Sequence, residues 1–110
     1  MIADRRTRRA HAPLLAAEYL LDTHRKLGGA RAVALFDGRE MLAGSAESRA
    51  DEVTLRTWTV EVARGGEGPS RDLFVHRVPI WGRELLLASL DGRVSSVKSV
   101  TSGLLRILAG

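Results

Sequence analysis

Few side chains in this sequence could do chemistry, and they lie far apart. His11, His24 and His76 fall in segments read as tail, helix and strand. Protein metal sites gather ligands at short spacings such as H-x3-H or HExxH, and neither pattern occurs. Ser45 follows Gly44 at the end of a strand, but the G-x-S-x-G elbow that exposes a nucleophilic serine is absent. The cluster Gly65-Gly66-Glu67-Gly68-Pro69 has no Lys-Ser/Thr pair and no strand-to-helix order, so it reads as a connector and not as a phosphate cradle. Glu18 and Asp22 share a solvated helical strip with basic neighbours, which gives no acid–base pair. The expectation is a chain with no catalytic residue, no metal and no cofactor.

The chain has 110 residues, 45% of them hydrophobic and 27% charged, which suits one small globular domain. It contains no cysteine, so disulfides, thiol catalysis and thiolate metal sites are excluded together. That composition fits a reducing cytosol, and a cytoplasmic location is expected. Arg5-Arg6 and Arg8-Arg9 precede a leucine-rich stretch, but Glu18 and Asp22 interrupt it, so the segment reads as mature sequence and not as an export signal. The longest apolar run, Ala32 to Phe36, is far too short to span a membrane.

The formal charge is +4, but residues 1–11 hold four arginines against one aspartate. The body from 12 to 110 is nearly neutral, with basic residues beside acids as in Arg39-Glu40 and Arg83-Glu84. The sequence therefore divides into a basic N-terminal tail, 1–11, and a single domain, 12–110. Nucleic-acid surfaces cluster their cations and add exposed aromatics, so nucleic acid is not the favoured partner.

These residues need elements to position them. An apolar helix starts at Pro13, a residue suited to a first turn, and stops at Gly28-Gly29. Its polar strip is Glu18, Asp22, Arg25 and Lys26, and so apolar a helix should be covered on more than one side. Strands over 31–36 and 40–44 flank Asp37-Gly38, a hairpin signal. A second pair covers Asp72–Val78 and Arg83–Leu90 around the turn Pro79-Ile80-Trp81-Gly82. From Val94 to Leu108 the apolar residues fall on one arc, giving a terminal amphipathic helix. Its opposite face, with Ser95, Ser99, Ser102 and Gly103, could admit another helix.

Residues 48–64 send mixed signals. Their β-branched and aromatic content favours a strand. However, Ser48 and Asp51 have capping-box spacing, Asp51-Glu52 suit a helix dipole, and Gly65-Gly66 make a stop. The boundaries favour a helix with two opposed apolar stripes, Val53 with Val60 and Leu55 with Trp58 and Val62. With the first stripe on the sheet, Leu55, Trp58 and Val62 face outward as a dimer or partner interface. Read as a strand, the segment would make Trp58 simply core. The architecture is α+β, in the order αββαββα, with a central antiparallel sheet of four strands, or five, between the middle helix and the two terminal ones.

In pattern and order, this arrangement resembles the roadblock/dynein-light-chain superfamily, in particular its bacterial branch that regulates small Ras-like GTPases. The residues carrying the resemblance are the helix ending in Gly28-Gly29, the hairpin from Ala30 to Ser45, and Glu84 to Gly92 leading into the last helix. The family usually has five strands and a longer central helix, whereas only about 40 residues separate Ser45 from Leu85 here. The resemblance implies a homodimeric regulatory or scaffold protein that binds a small Ras-like GTPase. A GAF- or profilin-like small-molecule sensor shares related layouts, and a basic-tail adaptor for nucleic acid or a membrane surface is a third reading.

Overall fold

A computed structural model describes the backbone of residues 2–109 and the side chains of 12–109. The elements are α1 (Ile2–Gly28), β1 (Ala32–Asp37), β2 (Glu40–Ala46), α2 (Arg49–Ala63), β3 (Leu73–Ile80), β4 (Arg83–Leu90) and α3 (Val97–Ile107). The order is αββαββα as expected, and the sheet has four antiparallel strands in the order β2-β1-β4-β3. Residues 65–72, where a fifth strand would have to fit, form the connector instead. α1 begins before Pro13, which lies inside the helix. The charges of the proposed 1–11 tail, and His11, belong to side chains outside the described set.

Alternation along the strands divides the core in two. Val33 and Leu35 of β1 and Leu85 and Leu87 of β4 point to one face, where they meet Ala17 and Leu21 of α1 and Val100 and Leu104 of α3. Ala32, Ala34 and Phe36 with Ala88 and Leu90 point to the other, where Leu55 of α2 covers them. The helix pair is packed closely. A side-chain carbon added at Gly103 would lie 2.7 Å from Leu20 Cδ2, so of the small-residue face Gly103 is taken up by α1, while Ser95, Ser99 and Ser102 are exposed. On α1, burial is one-sided, with Leu15, Tyr19 and Leu27 exposed despite the expectation of cover on several sides.

Both turns differ in detail from the sequence expectation. In the first hairpin Asp37 pairs with Glu40, so the loop is Gly38-Arg39. Gly38 has φ of 60°, the requirement at the first loop position of a type II′ turn. In the second, strand pairing extends through Pro79 and Ile80, and the loop is Trp81-Gly82. Pro79 is tolerated because β3 is an edge strand. Both loop residues have positive φ, 49° at Trp81 and 79° at Gly82, as a type I′ turn demands.

The boundary signals of α2 hold. The Ser48 side chain accepts the Asp51 amide at 3.1 Å. At the other end, Gly66 N–H donates to the Glu61 carbonyl and Gly65 N–H to that of Val62, the pair of bonds that defines a Schellman stop.

Candidate interaction surface

The stripes of α2 are turned the other way from the expectation. Leu55 is 1% exposed and sits on the sheet, in line with buried Asp51 and Thr59. Trp58 and Val62 flank that line and are half-buried. Val53, from the other stripe, is 51% exposed. The expected outward direction of Leu55 is therefore corrected. The physical reason lies in the polar residues of the buried line. Thr59 satisfies its hydroxyl by donating to the Leu55 carbonyl at 2.6 Å, and Asp51 is held by ion pairs.

One helix cannot cover a four-stranded sheet. Strands about 4.8 Å apart make a face roughly 15–20 Å wide, while a helix is about 10–12 Å across. On the α2 face Met41, Leu73, Val75 and Leu86 are accordingly only half-buried. Val60 and Ala63 border a shallow cleft with Gly38 and Arg39 of the β1–β2 hairpin. On another side of the helix Val62, one turn from Trp58, faces the connector that leads to β3, where a carbon added at Gly68 would lie 3.2 Å from its Cγ2. Trp58 of α2 and Leu73 and Val75 of the edge strand β3 are apolar and only half-buried.

Polar contacts fasten the elements around these surfaces. Arg31, Asp51, Arg71 and Asp91 stand at the start of β1, the start of α2, before β3 and after β4, all at one end of the sheet. Asp51 accepts from Arg71 at 2.6 Å, from Arg31 at 3.0 Å and from the Ser48 hydroxyl at 2.8 Å. Arg71 also pairs with Asp91 at 2.5 Å, and Arg31 with Glu47 at 3.0 Å. The Arg71 bond, with those of Ser48 and Arg31, holds the Asp51 carboxyl below its ordinary range despite burial.

A second cluster joins α1 to β2. The Arg25 guanidinium, buried where a solvated position was expected, donates to Ser45 Oγ at 2.9 Å and to the Ala30 carbonyl at 3.2 Å. Ser45 in turn donates to Asp22 at 2.6 Å, and Lys26 pairs with Asp22 at 3.0 Å. The Ser45 bond and then Lys26 lower the pKa of Asp22. A carboxylate so stabilised stays ionised and accepts from the Ser45 hydroxyl, tying β2 to α1. Neither cluster was visible in the sequence, because most of the partners lie 20 or more residues apart.

The two described histidines, His24 and His76, do not converge. His24 Nδ1 lies 2.5 Å from Ser95 Oγ, and His76 sits in β3 opposite Leu87. Among the described residues no three His, Asp or Glu side chains are placed to hold a metal ion. No described helix is long and apolar enough to cross a membrane. At the hairpin end, Trp81 is 62% exposed, and its indole N–H donates to the Leu105 carbonyl at 2.9 Å.

The class these observations define is an α+β domain with a four-stranded antiparallel sheet, two helices on one face and one on the other. Among solved structures, the chain is similar to the gliding protein MglB of Thermus thermophilus, with 18% identity over 87% of this chain and 90% of that one and a TM-score of 0.49. No protein-family model matches the chain, and no curated protein sequence matches it.

Proposed function

We propose that this chain is a non-enzymatic, cytoplasmic regulatory or scaffold protein that works as a homodimer and binds a small Ras-like GTPase. The observation that carries the reading is that Trp58 and Val62 on α2 and Leu73 and Val75 on the edge strand β3 are apolar yet only half-buried. A tryptophan among aliphatics next to unpaired strand groups is the composition of an interface anchor. A two-fold copy would continue the sheet and cover the margin that α2 leaves bare. The GTPase as partner rests on the resemblance of the element order and hairpins to the bacterial roadblock branch. Leu55, buried on the sheet, does not touch the partner.

Light scattering on the purified chain tests the dimer. The expected result is a dimer at micromolar concentration that Trp58→Ala shifts toward monomer while the circular dichroism spectrum stays native. A strict monomer overturns the reading. For the partner, Ras-like GTPases encoded by the same organism are loaded with GDP or a GTP analogue and titrated with the chain. Nucleotide-dependent binding is expected, and equal or absent binding to every such GTPase removes that partner.

A further inference from the structure

The opposite edge of the sheet has a different character. β2 pairs only with β1, and Met41 to Ala46 carry no charge and no proline, whereas in β3 Arg77 and Pro79 occupy the half beyond Leu73 to His76. Charges and proline are what normally blunt an edge strand. A β-bulge lies toward the hairpin end, between Leu35 and Phe36 in the pairing, and Ala43 to Ala46 keep regular register. Beside this stretch runs α1, with Leu15 62% and Tyr19 77% exposed one helical turn apart. Between helix and strand lies an open groove of about 400 Å³, bordered by Leu15, Glu18, Tyr19, Asp22 and residues 44–46. Among the described residues that border carries two carboxylates, Asp22, which is paired with Arg25 and Lys26, and the exposed Glu18.

We propose that this groove binds an extended peptide segment bearing lysine or arginine, which adds to β2 as a further strand. Main-chain groups of the peptide pair with the open edge, and alternate side chains point toward α1. An apolar side chain there rests on Leu15 and Tyr19, and a cationic one meets the exposed carboxylate of Glu18, since both oxygens of Asp22 are already held by Ser45, Arg25 and Lys26. A second copy of this chain is a poorer occupant, because two-fold pairing of β2 would bring Glu18 toward its own duplicate and offer it no new cation. The proposal is independent of dimerisation through β3.

The test uses two synthetic nine-residue peptides of alternating valine and threonine, one ended by arginines and one by glutamates, titrated into the full chain labelled with 15N. The arginine peptide is expected to bind about tenfold more tightly. It should shift the amides of Ala43 to Ala46 and Tyr19 and slow hydrogen exchange along β2. Glu18→Lys should erase most of the preference, and Tyr19→Ser should weaken binding with Tm unchanged. Equal affinities, no binding of either peptide at millimolar concentration, or shifts confined to other elements overturn the proposal. So does concentration-dependent self-association that shifts the same β2 amides without peptide.

Discussion

The two faces of the sheet are built from the same strands yet closed to different degrees. On one face α1 and α3 lie side by side at the closeness Gly103 permits, and Leu21, Val33, Leu35, Leu87 and Leu104 are sealed between helices and sheet. On the other, α2 covers the middle, where Phe36, Leu55 and Leu90 are buried, and leaves Leu73, Val75 and Met41 at the margins. The helix pair places stability on the first face. The single helix leaves the second with surface to offer. A small domain can divide its apolar residues in this way when recognition needs some of them uncovered.

Truncation should separate the faces most strongly. Leu104→Ala is expected to cost about 3–4 kcal/mol in urea unfolding, because the tightly packed site cannot collapse around the cavity. Leu73→Ala, at the margin, should cost about 1 kcal/mol under conditions where the chain is monomeric. Equal losses would break the comparison.

Next in size is the fastening of α1. Arg25→Leu removes a buried cation and takes the donor from Ser45 Oγ and the Ala30 carbonyl, for an expected loss of about 3 kcal/mol by the same measurement.

The faces also share a pH response, since Asp22 ties down the two-helix side and Asp51 stands at the start of α2. Both carboxyls have folded pKa values below the ordinary 3.8, so both favour the folded state at neutral pH. That contribution is complete above the unfolded value and is lost as pH falls through the folded one, from about pH 5 downward. Urea midpoints should drop over this range. Asp51→Asn should flatten the drop while lowering stability at pH 7, and an unchanged slope would show that Asp51 does not titrate with folding.

The smallest effect is expected at the hairpin tip. Trp81→Gly relieves a positive φ at a bulky residue and loses the bond to the Leu105 carbonyl. These oppose each other, so the net change should stay within about 1 kcal/mol.

The layers and the ends of α2 were legible because they are encoded locally. Ser48 caps the helix through the residue three places on, and Gly65-Gly66 close it within a turn. The direction in which α2 faces was not legible. Its buried line contains Asp51 and Thr59, two polar residues that look solvent-facing until their partners are known. The partners of Asp51 come from Arg31 and Arg71, which only the folded sheet brings near. Arg25 was misplaced for the same reason, because its matching groups Ser45 and Ala30 lie outside α1. For the proposed interface, the sequence singled out Leu55, Trp58 and Val62 of α2, of which the fold buries Leu55 and leaves the other two half-buried, whereas Leu73 and Val75 entered only with the sheet order.

The chain of Arg31, Asp51, Arg71 and Asp91 has a consequence for local opening. Four segments meet there at one sheet end, while the other end carries the two hairpin loops and the C-termini of α2 and α3. Amide exchange should therefore be graded along each strand. Arg31 N–H, bonded to the Leu90 carbonyl, and Asp91 N–H, bonded to that of Asp72, should exchange late. Fraying should start at Gly38 and Gly82, so the molecule opens like a book whose spine is the charged end.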